Sequence, residues 1–433
     1  MKIKIVLIVF LLLLFQNIYS QNFWHETGFN SGGKVLALTI TPNGYVYAGH
    51  STGIYRSTNG GTTWIRVYQT PVEVLSLTEN DSNGYIYAGL QTSGSQYGGI
   101  YRSINNGSSW QLKGLSGKKI NDLLVSASGT VFAGSSTNYL DGGVFKSTDN
   151  GNSWINCVIP DYHVQCLAID INSNIYAGTD DPGPSGYPTI LKSTNDGNTW
   201  NTLYQWTGYS TYVRGIAINN IGYMFAYFSS RVFRSTNNGI TWSQVLFGIS
   251  EFSKLPFIVN SLNHIFAGSM GSGIYRSTNY GLNWAQINSG LTNLNIYSFA
   301  IDDSEYVYAG ADNRIFKTAQ STITSISKTN SEVPVKFSLS QNYPNPFNPI
   351  TNIKFDLPKS SDTKLIVYDA LGREVATLVN EKLSAGSYEV YWFAPTEDGG
   401  GYSSGVYFYK LEATPKYGQA GEFVMVKKMV MLK

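Results

Sequence analysis

The chain has 433 residues, of which 13% are charged, with a formal net charge of +2, 44 Gly and 31 Tyr. That length holds two or three domains, and the net charge is too small to suggest a polyanion partner; Lys427-Lys428 is only a pair, not a nucleic-acid patch. Few charges with many Gly, Tyr and Thr fit short strands joined by tight turns, so an all-β chain is expected.

Lys2 and Lys4 precede an apolar run from Ile5 to Phe15, and a polar stretch ends at Ser20. A charged start, a short apolar core and a small residue make residues 1–20 a cleavable signal peptide. The run is too short to span ~30 Å of hydrocarbon, and no other run is longer. Export places Cys157 and Cys166 in an oxidising compartment.

A repeat follows. GIYRSTNGGTTW (53–64), GIYRSINNGSSW (99–110), GVFKSTDNGNSW (143–154), TILKSTNDGNTW (189–200), RVFRSTNNGITW (231–242) and GIYRSTNYGLNW (273–284) align without gaps. Their Trp residues are Trp64, Trp110, Trp154, Trp200, Trp242 and Trp284, a period of 42 to 46. Four strands at that period make a propeller blade. Apolar first strands near Val35, Val72, Ile120, Val164, Val213, Phe252 and Ile296 count seven blades over residues 21–318. The seventh unit starts at Arg314 but stops before its Trp, and Phe23–Thr27 is a spare strand whose Trp24 fills the gap. Closing the ring this way removes two exposed edges. Within it, Cys157 ends an outer strand and Cys166 lies in an inner one. Three strand spacings, about 14 Å, separate them, so two free buried thiols are expected.

The motif Ser-x-Asn/Asp-x-Gly-x-x-Trp, as Ser57, Asn59, Gly61 and Trp64 in its first copy, resembles the Asp-box, or bacterial neuraminidase repeat, of sialidase-like propellers. Only the third copy carries the acidic residue, Asp149. The resemblance implies a turn-shaping role on the face away from any ligand.

Residues 319–335, rich in Ser and Thr, read as a linker. Residues 336–433 read as short alternating strands of a small immunoglobulin-like sandwich, from Ile353–Leu357 to Phe423–Leu432, behind a Pro-rich edge or loop. QNYPNPFNP (341–349), VYDALGREVATLV (367–379), AGSYEVYW (385–392), SGVYFYKL (404–411) and KKMVMLK (427–433) then resemble the C-terminal sorting domain of type IX secretion cargo. The resemblance implies a Bacteroidetes source, Sec export, recognition by the outer-membrane translocon, and release or surface attachment. Lys427, Lys428, Met429, Val430, Met431, Leu432 and Lys433 are its sorting signal.

No metal, dinucleotide or nucleophile-elbow motif is present, so no cofactor or metal is expected. The four histidines, His25, His50, His163 and His264, read as solvated loop residues. Arg56, Arg102, Arg234 and Arg276 share one repeat position and read as scaffold rather than a sialidase arginine cluster. Glu73 and Asp122 both begin first strands and are the best carboxylate pair for a glycoside hydrolase, in a ring of positions holding Gln165, Arg214, Lys254 and Tyr297. Extended loops at Leu90–Tyr97, Ser135–Asp141, Thr179–Tyr187 and Tyr204–Tyr212 put Tyr97, Tyr139, Asp141, Asp180, Asp181, Tyr187, Trp206, Tyr209 and Tyr212 on one face suited to a glycan or protein. The reading is a non-catalytic binding or scaffold propeller, monomeric and without a membrane span after cleavage; a polysaccharide-active extracellular hydrolase is the alternative.

Overall fold

The computed structural model describes residues 22–93, 97–136, 142–157, 163–180, 187–207, 212–248, 255–319, 322, 326–330, 333–347, 350–393, 403–415 and 423–432. The expected signal peptide lies outside them. The described residues contain strands and no helix. The chain divides into two compact units, one up to Thr322 and one from Ile323.

In the first unit the described residues form seven four-stranded antiparallel sheets. Their inner strands are Val35–Ile40, Val74–Asn80, Lys119–Val125, Val164–Ile169, Gly215–Ile218, Phe257–Val259 and Ile296–Ile301. Each touches the next, and the last touches the first, so the sheets close a propeller-like ring. The sixth inner strand falls after Pro256, later in the chain than the apolar residues near Phe252 indicate; residue 252 itself is outside the described residues.

Aliphatic, aromatic and small residues pack between the sheets. Val46, Tyr47 and Ala48 of a second strand are all buried, as are their counterparts Val307, Tyr308 and Ala309. Gly49 completes the first set because a Cβ there would lie 2.9 Å from Val74 Cγ1 of the next inner strand.

The ring closes as the spare strand requires. Trp24–Glu26 pairs antiparallel with Ile315–Thr318, with His25 opposite Lys317. In the first sheet Arg56 faces Ile65, the residue after Trp64. Trp24 therefore takes the register position of the motif tryptophan. Its ring is fully buried and its Nε1 donates to the carbonyl of Ile287 over 2.6 Å.

In the second unit, Ile326–Asn330, Gly386–Phe393, Ile350–Leu357 and Ser338–Leu339 form one sheet. Glu374–Leu383, Ser361–Tyr368, Gly405–Pro415 and Phe423–Met431 form the other. Both sheets feed one core that includes Phe347, Val390, Trp392, Tyr409 and Met429. The stretch read as a linker thus contributes a strand. Pairing with Ser387–Val390 satisfies its backbone, a tertiary partner that Ser/Thr-rich composition does not announce.

Both cysteines are free and buried; Cys157 follows the outer strand of the third sheet, and Cys166 lies in the inner strand of the fourth rather than across the same sheet.

Candidate functional site

The motif turns are built alike from sheet to sheet. Ser57 Oγ donates to Asn59 Oδ1 over 3.0 Å and accepts the N–H of Gly61 over 2.9 Å. Asn59 Oδ1 then accepts the N–H of Thr63, and Trp64 Nε1 donates to Gly61 O. The same bonds recur from Ser103 to Trp110, Ser147 to Trp154, Ser193 to Trp200 and Ser235 to Trp242. In the copy beginning at Ser277, Trp284 Nε1 is buried without a hydrogen bond. The hydroxyl and N–H of Ser153 hold the Asp149 carboxyl down at about 2, where it stays an acceptor.

These turns also join neighbouring sheets. Arg56 Nη1 donates to Asn106 O, Arg102 Nη1 to Asn150 O and Arg234 Nη1 to Tyr280 O. Lys146 Nζ donates to Asp196 O and Asn198 Oδ1. The repeated cations therefore cap the turn of the next sheet, a scaffold role for Arg56, Arg102 and Arg234.

A cavity of about 190 Å³ lies among the inner strands, lined by Leu36, Leu75, Asp122, Phe257, Tyr297 and Phe299, with others. Asp122 accepts the N–H of Leu123 at 3.2 Å and of Leu167 in the next sheet at 2.9 Å. Its register equivalent Ser298 donates to Val35 O over 2.9 Å, which seals the last sheet to the first.

Glu73 stands elsewhere. Bulges in the inner strands set Val74 level with Ile120 and Ser76 level with Asp122. Glu73 is therefore level with Lys119, three positions and ~10 Å of strand from the level of Asp122. Gln165, Arg214 and Tyr297 occupy a third level. The carboxylate pair expected from sequence is not assembled: the second inner strand starts at Val74 rather than at Val72, so Glu73 precedes the bulge that both strands share while Asp122 follows it.

Among the residues expected on the binding face, Tyr97 is exposed, and Tyr187 and Tyr212 are half-buried. Asp180 pairs with Pro188 at the end of a strand. Tyr139, Asp141, Asp181 and Tyr209 lie outside the described residues. Trp206 corrects the expectation: it is 7% exposed and packs against Phe228, Phe233 and Trp242 with centroids 4.5, 5.9 and 5.1 Å away. Its N–H donates to Pro188 O, so the chain turns inward there. His50 and His264 are likewise buried rather than solvated. Burial pushes His264 down to about 4, so it stays neutral.

Sequence reasoning missed Lys34 and Asp312, which both contact Tyr297 of the cavity wall. Tyr297 Oη and Asn295 Nδ2 both donate to Asp312, at 2.9 and 2.7 Å. Lys34 Nζ lies 5.6 Å from the Tyr297 ring centroid and Arg214 Cζ 5.5 Å from that of Tyr212. For Lys34 the signal was positional, since polar residues stand just before the buried first-strand aliphatics; Asp312 follows a second strand and has no such signal.

Among the described residues no three His, Cys, Asp or Glu are placed to hold a metal ion. No helix of the described residues is long and apolar enough to cross a membrane.

The architecture places the chain among β-propellers that carry a C-terminal immunoglobulin-like domain. Residues 347–416 match the family model of the FlgD Ig-like domain. The chain is similar in fold to PorZ, described as an essential surface component of the type IX secretion system of Porphyromonas gingivalis, at 13% identity and a TM-score of 0.53 over 94% of this chain. It resembles the extracellular domain of the hybrid two-component system BT3049 of B. thetaiotaomicron at 13% identity and a TM-score of 0.55 over 95% of this chain. It covers only 61% and 57% of those two chains. YCF48 bound to D1 peptide is similar at 12% identity and a TM-score of 0.51, over 69% of this chain and 97% of that one. No curated protein matches.

Proposed function

We propose that this chain is a secreted or outer-membrane-surface binding protein: a seven-bladed Asp-box propeller delivered by a type IX sorting domain after Sec export. One observation carries the reading. The two most distinctive blocks of the second unit, QNYPNPF and KKMVMLK, are far apart in sequence and meet in space. Gln341 Nε2 donates to Lys428 O over 2.8 Å, and Asn345 Oδ1 accepts the N–H of Val430 over 2.9 Å. Phe347 and Val430 share a further main-chain bond, as do Leu432 and Phe347. Blocks that build one structural element support the sorting-domain reading better than isolated motif matches do. The fold likeness to a type IX surface component over nearly the whole chain agrees with it.

Binding without turnover is the better reading of the first unit. Asp122 is occupied by main-chain donors, and Glu73 stands at another level. Partner contact then falls to the loop face that carries Tyr97, Tyr187 and Tyr212, with Tyr139, Asp141, Asp180, Asp181 and Tyr209 as further members and Trp206 as buried support.

The test is export. Removing Lys427–Lys433 should leave the first unit folded but retained in the periplasm. Because Met429 and Met431 are core residues, Lys428→Glu serves as the milder variant that leaves both in place. Normal secretion of the truncated chain would sink the assignment. A glycan array with a reducing-sugar assay addresses the ligand, and sugar release lost in Glu73→Gln would favour the hydrolase instead.

A further inference from the structure

The last strand, Phe423–Met431, is an edge of its sheet, and its two halves are treated differently. The Pro-rich block seals the second half: Gln341 Nε2 donates to Lys428 O, Asn345 Oδ1 accepts the N–H of Val430, and Phe347 N–H donates to Val430 O. In an antiparallel strand the N–H and C=O of one residue point to the same side, and the side alternates along the chain. The side that meets the Pro-rich block therefore also carries the N–H and C=O of Val424 and Val426 and the N–H of Lys428. None of these groups meets a described residue. Val424 and Val426 are also 45% and 52% exposed, with Lys428 exposed beside them. On the opposite face Phe423 stacks on Phe337 with centroids 5.0 Å apart, and Met429 enters the core, so the strand is held from within.

This edge differs from the others. Short strands, bulges and charges are the usual means by which sheet edges are kept from pairing. Among the described residues, every other edge strand is five residues or shorter, or carries a register shift in its pairing. The far edge of the same sheet, Glu374–Leu383, has two shifts and carries Glu374, Glu381 and Lys382. Phe423–Met431 pairs without a shift over all 9 of its residues, and Phe423–Val426 carries no charge. A row of main-chain donors and acceptors at strand spacing is complementary to another extended chain. The exposed valines call for apolar side chains at the facing positions. Neither Lys427 nor Lys428 is paired with a carboxylate of the described residues, which calls for an acidic side chain at that end. Gln341 and Asn345 already occupy the edge beyond Lys428 and set the limit of the free stretch.

We propose that the second unit binds an extended segment of a partner protein, added as a strand along Val424–Lys428, with apolar side chains beside the two valines and an acidic one at Lys428. The inference is independent of the export reading, because it needs only this edge.

The mature full-length chain should be titrated with fluorescein-labelled ETVTVTE, a peptide whose sequence reads the same in both directions and so fits parallel or antiparallel addition. A saturable rise in anisotropy is expected, with slower amide exchange within Phe423–Met431. Methylating the main-chain nitrogens of the two peptide valines removes N–H groups that face the edge and should weaken binding about tenfold or more, with the protein untouched. The peptide KTVTVTK should bind about threefold more weakly, through like charge at Lys428. Val426→Pro removes an outward N–H and no bond to Gly405–Pro415, so it should weaken binding about tenfold, whereas Val426→Thr should bind as the parent does. The methylated peptide keeps the test open if Val426→Pro fails to fold. Equal binding of the methylated or the lysine peptide, protection outside Phe423–Met431, or no binding at millimolar peptide would overturn the proposal. Self-association of the free chain that protects the same amides would assign the edge to a second copy and overturn it as well.

Discussion

Trp24 Nε1 donates to the carbonyl of Ile287 over 2.6 Å, joining residues 263 positions apart in the chain. Trp24 N–H donates to Ser289 O, and Ala319 N–H donates to Phe23 O, so the N-terminal strand is held on both flanks. The ring is therefore locked by a strand from the opposite end of its own sequence. Trp24→Ala removes a fully buried indole and should cost ~3–5 kcal/mol, measured by urea unfolding. Light scattering should also show association of a chain lacking residues 22–27, because that deletion bares the edge at Ile315–Thr318. Unfolding midpoints unchanged in Trp24→Ala would refute the lock.

The motif glycines answer to two constraints at once. Gly107 has φ +76, and a Cβ there would sit 2.8 Å from Tyr47 Cε1 in the preceding sheet. Gly44 has φ +78 with nothing within 4 Å. Both alanine variants carry backbone strain of ~1 kcal/mol or more, and only Gly107→Ala adds a clash with a buried ring. Thermal melts should therefore fall further for Gly107→Ala than for Gly44→Ala. Equal losses would mean that the turn, not its packing on the neighbouring sheet, sets the requirement.

The repeat made most of this architecture legible, since six gap-free copies fix period, turns and register together. Closure by Trp24 was legible for the same reason: one strand was missing and one was spare. The site was harder to read. Glu73 and Asp122 look equivalent when the strands are counted from Val72 and Ile120, but the paired strand begins at Val74, which leaves Glu73 before the shared bulge and Asp122 after it. Residues 326–330 look like linker because their partner strand lies some sixty residues on, at Ser387–Val390. Trp206 sits in a polar, aromatic-rich sequence that reads as a loop tip. Composition does not distinguish a ring that projects from one that folds back on Phe228 and Phe233.

That inward packing of Trp206 has a measurable consequence. Truncating a projecting surface side chain to alanine leaves stability within ~0.5 kcal/mol. A ring that is 7% exposed and packed on four aromatics should instead cost ~3–5 kcal/mol in Trp206→Ala. Denaturant unfolding distinguishes the two outcomes, and a near-neutral result would restore Trp206 to the binding face.

Glu79 is the one carboxylate in a ring of aliphatics. It faces Ile86 at the end of its inner strand, where the other sheets place Ile40, Val125, Ile169, Ile218, Val259 and Ile301. Burial first, and Asp81 second, push it up from 4.5 to about 7. Its Oε2 is buried without a hydrogen bond. A raised folded-state pKa means that the folded chain prefers the protonated acid. The contribution to stability is full below pH 4.5 and is lost as pH rises through about 7. His50 and His264, both depressed by burial, act in the opposite sense, so the comparison must be between variants. The difference in Tm between Glu79→Gln and the parent chain should be small at pH 4.5 and grow towards pH 8, with Glu79→Ile more stable still. A pH-independent difference would remove Glu79 as the titrating group.

The meeting of the two C-terminal blocks turns on Asn342, whose side chain is 2% exposed. Its Nδ2 donates to Thr351 Oγ1 over 2.8 Å and to Pro344 O over 3.1 Å, while its Oδ1 accepts from Gln341 Nε2. Its main-chain N–H donates to Tyr409 Oη, which itself donates to Ser340 O. The side chain thus fixes the loop that carries Gln341, Asn345 and Phe347 onto the last strand. Asn342→Ala leaves the Pro344–Thr351 hydrogen bond in place but strips the loop of its buried amide, at a cost of ~1–3 kcal/mol. That loss should appear locally. The Val430 and Leu432 amides, which donate to Asn345 Oδ1 and Phe347 O, should exchange with solvent about 5- to 150-fold faster, the same free energy expressed as a rate. Amides of the first unit, such as those of Tyr47 and Ala48, should keep their protection. If Val430 and Leu432 exchange at the parent rate in Asn342→Ala, the last strand is held by its pairing with Gly405–Pro415 alone, and the Pro-rich block has another purpose.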